Sequence, residues 1–190
     1  MNKKVEEIKK IVQKRLEDTD WNYHILPVVR YAKKLAKIYK VDGEIVELAA
    51  LLHDIGRNNV GKDISQEDKH HIVGANEAVK ILQKYKYPEK TILEIKHCIE
   101  AHRTLKGPKS KTLTAKIIAN ADAMAHFDSL PIFFYWRAIQ RKDKFEDIVK
   151  WVGDKIERDW KMKITLPEAK KLVEKKYKAI KLLLSSIEIS

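Results

Sequence analysis

Glu44-Ile-Val-Glu-Leu-Ala-Ala-Leu-Leu-His-Asp54 is the stretch on which the reading of this chain turns. Ile45, Val46, Leu48, Ala49, Ala50, Leu51 and Leu52 leave almost no polar face, so a helix here must be surrounded by other helices. That helix ends on an imidazole and a carboxylate, His53 and Asp54. Holding both against so apolar a surface costs several kcal/mol of desolvation unless something compensates. A divalent ion compensates both at once, because neutral imidazole and ionised carboxylate are its natural ligands.

Outward from this helix, nearly every segment repeats its apolar residues with a helical period and none alternates as a strand would. Val5, Ile8, Ile11, Val12 and Leu16 mark a first helix. Ile25, Val28, Val29, Ala32, Leu35, Ala36 and Tyr39 mark a second over about 21–40, stopped by Val41-Asp-Gly-Glu44. Gly56-Arg-Asn-Asn-Val-Gly61 reads as a loop. Helical patterns follow at about 66–85, 89–102 and 112–124, with a loop around Lys106-Gly-Pro-Lys-Ser110 before the last. Phe127, Phe133, Phe134, Tyr135 and Trp136 are expected to be largely buried or to form an interface. Two further helices, roughly 143–161 and 167–185, come next, with Thr165 as the expected cap ahead of Pro167. There is no internal repeat and no linker long enough to separate domains. The expectation is an all-α helical domain spanning 1–190.

Asp122 repeats the problem posed by His53 and Asp54. It sits among Ala119, Asn120, Ala121 and Ala123, whose small side chains would let its helix come close to a metal. Of the seven histidines, at 24, 53, 70, 71, 97, 102 and 126, most fall within the expected helices. His24, the pair His53-Asp54 and the distant Asp122 resemble the H…HD…D signature of the HD superfamily of metal-dependent phosphohydrolases. The words around them match as well: His24-Ile-Leu-Pro-Val-Val-Arg-Tyr-Ala32, Ala49-Ala-Leu-Leu-His-Asp-Ile-Gly-Arg57 and Lys116-Ile-Ile-Ala-Asn-Ala-Asp-Ala-Met124. The resemblance covers about 21–137, and the last two helices are similar to the tails of small single-domain members.

The resemblance implies a compact single-domain HD fold in which His24, His53, Asp54 and Asp122 hold one divalent ion. Manganese, cobalt, nickel, magnesium, iron and zinc are not distinguished by such a donor set. His71-Ile-Val-Gly-Ala75 and Ile99-Glu-Ala-His-Arg-Thr104 resemble stretches that supply extra ligands in two-metal members. One ion is therefore expected, with His71 and His102 able to help hold a second and Asp54 bridging; as alternatives they contact the phosphate. Arg57 follows the His-Asp pair in a loop at the mouth of the site, where a guanidinium suits a phosphoryl group. Asp54, Arg57 and Asp122 are the expected catalytic residues, and metal-activated water is the expected nucleophile. His70 is expected to face away from its neighbour. His97 and His102 point about 140° apart on one helix, so they are not expected to share an ion. His126 lies one turn after Asp122 but matches no motif of the family.

Composition agrees with this and removes other classes. Hydrophobic residues at 44% with only 6 Gly and 5 Pro supply a core, which excludes a disordered or low-complexity chain. A single cysteine, Cys98, excludes a disulfide scaffold. The charged start and the short apolar runs lead to the expectation of no signal peptide, no membrane association and a cytoplasmic location. The formal charge of +12 points to an anionic partner, a phosphorylated small molecule of the nucleotide class. The alternative is a catalytically silent nucleotide-sensing or nucleic-acid-binding HD module. Oligomeric state is not legible.

Overall fold

The computed structural model of the protein describes residues 2–57, 69–103, 105 and 107–187. The chain is all-α, with no strand among the described residues. Helix α1 (Lys3–Arg15) begins where the Asn2 side chain accepts the Lys4 N–H. A short turn at Asp18–Asp20 and a π-helical turn at Trp21–Ile25 lead into α2 (Leu26–Tyr39). Helix α3 (Gly43–Leu52) starts at Asp42, whose carboxylate accepts the N–H groups of Glu44 and Ile45. Then come α4 (His70–Lys84), α5 (Glu89–Ala101) and α6 (Leu113–Ala125), the last capped by Thr112. Helix α7 (Leu130–Tyr135) runs into a π-helical turn at Trp136–Gln140, α8 (Phe145–Arg158) into another at Asp159–Lys163, and α9 (Pro167–Ser185) follows.

As its sequence demands, α3 is central. Leu48, Ala49, Ala50 and Leu52 are fully enclosed, with α2, α5 and α6 packed around them. Helix α2 packs most extensively on α6, and α4 on α5. One continuous apolar cluster runs from Val5 through Ile25, Leu51, Ile99 and Ile118 to Ile156 and Val173, so α8 and α9 share the core of the earlier helices. No described helix is long and apolar enough to cross a membrane.

Two expectations change. Phe127 is buried, but Tyr135 and Trp136 are 54% and 37% exposed, because the segment after Leu130 forms a helix of its own on the surface. Thr165 does not cap α9. The buried amide of Asn120 reaches across from α6 and its Oδ1 accepts the N–H groups of Thr165 and Leu166, at 2.8 and 3.0 Å. The loop expected at Gly56–Gly61 lies outside the described residues from Asn58 onward, as do Lys106 and the start of the helix expected from Gln66.

The approach of α4 to the end of α3 is set by two glycines. A Cβ on Gly56 would stand 2.5 Å from the Gly74 nitrogen and nearer still to the His70 carbonyl. Both obstacles are backbone, so no side chain can swing aside. Gly56→Ala is expected to destabilise the fold by about 1–3 kcal/mol through this overpacking. Urea denaturation measures it, and an unchanged midpoint would show that the two backbones are not in contact.

Candidate metal centre

Helices α3, α5 and α6 each end on a histidine: His53, His102 and His126. These C-terminal ends meet in the interior, and the partial negative charge of a helix C-terminus favours a cation there. His24 arrives from another direction, on the π-helical turn ahead of α2. The wider π turn fits one more residue into the revolution, a local feature that often accompanies functional sites.

Two groups of donor atoms form. In the first, His24 Nε2 lies 3.2 Å from His53 Nε2, 3.3 Å from Asp122 Oδ1 and 3.2 Å from Asp54 Oδ2. His53 Nε2 completes the group at 3.9 Å from Asp122 Oδ1 and 3.5 Å from Asp54 Oδ2. In the second, Asp54 Oδ1 lies 3.3 Å from His70 Nε2 and 3.5 Å from His102 Nε2, and those two nitrogens are 3.4 Å apart. Ligands ~2.1 Å from a common first-row ion stand ~3.0–3.5 Å from each other, so both groups have the spacing of a coordination shell.

Tautomers point the same way. His53 Nδ1 donates to the Ala50 carbonyl at 2.7 Å and His102 Nδ1 to the Ile99 carbonyl at 2.6 Å. Each ring therefore carries its proton on Nδ1 and turns a bare Nε2 toward the centre, as ligating histidines do. Both Asp54 oxygens are buried, with imidazole nitrogens at 3.2–3.5 Å around them and Arg57 Nε 2.9 Å from Oδ2. The donor atoms of the two groups converge on shared points, which a cation satisfies. The donor set fits divalent metal.

Without metal, protons carry part of this charge. Burial alone would lower the His24 pKa, but hydrogen bonding to Asp122 and Asp54 overrides it and raises the ring to about 9. Burial pushes His53 down to about 4. Burial would raise Asp54, yet the Arg57 charge and the surrounding imidazoles hold it well below the usual carboxylate range. Asp122 is held low too, by His126 and His24 against the effect of burial.

His24, His53, Asp54, Asp122 and His102 are thus brought together. His71 and His70 exchange the places expected of them. They are neighbours at the start of α4, about 100° apart around the helix, so only one can face Asp54. That residue is His70; His71 is buried beside it, with its ring 6.5 Å from His102. Arg57 reaches the centre directly, with Nε 2.9 Å from Asp54 Oδ2, and its side chain is 38% exposed. His97 stays outside, accepting the Lys111 N–H at 2.9 Å.

A further buried polar group went unread in the sequence. His126, Lys155 and Asp159 pack behind the first donor group, and Asp159 also pairs with Lys163 at 3.0 Å. The available signals were Asp122 and His126 four residues apart, and Lys155 and Asp159 likewise.

A model of the HD domain matches residues 22–126. An uncharacterised protein of Methanocaldococcus jannaschii is 37% identical over 114 residues, covering 52% of this chain and 62% of that protein, less than two thirds of its length. A crystal structure of a predicted HD superfamily hydrolase from an uncultured Thermotogales bacterium aligns with 95% of this chain and 88% of that one. Its TM-score is 0.61 at 24% identity, a likeness of fold.

The raised His24 pKa gives metal binding a sign. The free protein carries the His24 proton below about pH 9, and a ligating His24 cannot. Apparent affinity at the first group is expected to rise about tenfold per pH unit toward pH 9, about 100-fold from pH 7, and then level off. Competition titrations with Mn²⁺ between pH 7 and 10 measure this; an affinity independent of pH would show that His24 is not a ligand.

Proposed function

This chain belongs to the HD domain family, and from that premise we propose that it is a metal-dependent phosphohydrolase that cleaves a phosphomonoester or phosphodiester bond of a nucleotide. The observation that carries the reading is the division of Asp54. Its Oδ2 lies beside His24 and His53 of the first donor group, while its Oδ1 faces His70 and His102 of the second. One carboxylate shared by two donor groups is the arrangement that holds two ions ~3.5–4 Å apart. Divalent ions in such a site polarise a phosphoryl group and make water nucleophilic near neutral pH.

The residues of the chain divide the remaining work. His24, His53, Asp122 and Asp54 Oδ2 would hold the first ion; His70, His102 and Asp54 Oδ1 would hold the second. Arg57 extends from Asp54 toward solvent, placed to meet the phosphoryl oxygens with a guanidinium that offers several donors at once. His71, buried at the edge of the second group, serves as a further phosphoryl contact.

Nucleotide is the favoured substrate class for two reasons. The chain is strongly basic. Aromatic side chains also lie near by: the Phe133 ring is 5.6 Å from His126, and Tyr135 and Trp136, which follow it closely in the chain, are exposed and open to stacking by a base. In this reading 1–190 is one HD domain, with α8 and α9 closing its core, and it works in the cytoplasm.

Single-residue variants separate the assignments. Loaded with Mn²⁺, the wild type is expected to bind two ions and to hydrolyse p-nitrophenyl phosphate or members of a nucleotide panel. Asp54→Ala is expected to lose both ions and all turnover while keeping its helical circular dichroism. His70→Ala is expected to lose one ion and His71→Ala none. Full turnover by Asp54→Ala would end the hydrolase reading, and loss of an ion from His71→Ala instead of His70→Ala would reassign the second site.

A further inference from the structure

His126 is buried and borders the first donor group without belonging to it. Its ring stacks on His24, with centroids 5.5 Å apart and planes within 10°. On the far side, His126 Nδ1 lies 2.7 Å from Asp159 Oδ2. Asp159 is fully buried and held by two ammonium groups, Lys155 at 3.2 Å from Oδ2 and Lys163 at 3.0 Å from Oδ1. It is therefore a carboxylate and can only accept, so the hydrogen in the short contact sits on His126 Nδ1. Lys155 Nζ also lies 3.1 Å from Nδ1, but a protonated nitrogen cannot accept from it, and its hydrogens go to Asp159.

The opposite tautomer fails on distance. It would press a bare Nδ1 against a carboxylate oxygen at 2.7 Å and leave Nε2–H 3.7 Å from Asp122 Oδ1, too far for a hydrogen bond. So Nε2 is bare, and it is directed at the edge of the metal centre. Two acceptor atoms, His126 Nε2 and Asp122 Oδ1, face one another across 3.7 Å. A hydrogen-bearing molecule at that edge satisfies Nε2. His126 does not belong to the group of His24, His53 and Asp122, whose donor atoms all lie within 4.8 Å of one another.

From this geometry we infer that His126 is a catalytic residue, the hydrogen-bond acceptor and proton acceptor for the attacking water, and that Asp159 positions it with Lys155 and Lys163. The inference rests on the phosphohydrolase reading above. As the water oxygen bonds to phosphorus, one of its protons passes to His126 Nε2 and the other stays on the phosphate product. The P–O bond to the leaving group breaks, the leaving oxygen takes a proton from solvent, and the proton on His126 returns to solvent. No oxidant or other co-reactant is consumed. Asp159 touches no reacting atom; it fixes the ring orientation and the tautomer, as a carboxylate does behind a catalytic imidazole.

The test combines His126→Gln with nitrogen-15 NMR of the histidine rings in the full-length wild-type protein. His126→Gln is expected to bind Mn²⁺ with the wild-type stoichiometry and to lose about 10²–10⁴-fold in kcat on the ester the wild type hydrolyses best. In the metal-free wild type, His126 is expected to show a proton on Nδ1 and a bare Nε2, and Asp159→Asn is expected to shift that tautomer while retaining metal. Wild-type kcat in His126→Gln, a lost ion in that variant, or a proton found on Nε2 would each overturn the assignment. A wild type without turnover on any phosphate ester would instead remove the hydrolase reading, and this role with it.

Discussion

The Asp54 carboxylate is enclosed at the end of a helix that is apolar on nearly every side, and it must nevertheless stay ionised. Much of the fold answers that demand. Arg57 is close enough to neutralise part of the charge from the same turn of chain. Imidazoles from the π turn before α2, from α3, α4 and α5 stand around the two oxygens, and Asp122 is brought in by an alanine-lined stretch of α6. The Gly56–Gly74 contact lets α4 approach until His70 reaches the second oxygen. Removing the carboxylate would leave a group of imidazoles and a second carboxylate without their common partner, and such groups are costly to bury unpaired.

Helix ends contribute as much as side chains. His53, His102 and His126 occupy the C-terminal caps of three helices, so backbone carbonyls add negative potential around the centre. Two of the three rings also use the carbonyl three residues back to fix their tautomer. His126 departs from this pattern by turning to Asp159. Part of the basic surface is neutralised within its own helices. Lys161, Lys171 and Lys178 pair with Glu157, Glu168 and Glu174 one turn away, the arrangement of a solvated helical face.

Most helices were legible because their apolar residues recur with a helical period. His53, Asp54 and Asp122 were legible because polar groups in apolar helices call for a partner. The choice between His70 and His71 was not legible, because it depends on the helical phase at which α4 meets α3, and the glycine contact sets that phase only in three dimensions. The π turn under His24 leaves no signature in hydrophobic period. Asp159 and Lys155 stand four residues apart like an ordinary surface pair, and it is the packing of the π turn at Asp159–Lys163 on α6 that encloses this region. The exposure of Tyr135 and Trp136 was likewise hidden, since aromatic residues at helical spacing look alike whether a neighbouring helix covers them or not.

The most direct test of this account is an anomalous-difference map from crystals of the protein grown with Mn²⁺. Two peaks per chain are expected, ~3.5–4 Å apart and bridged by the two oxygens of Asp54, with His24, His53 and Asp122 on one and His70 and His102 on the other. No peak at Asp54, or a peak bound by His71 in place of His70, would contradict it.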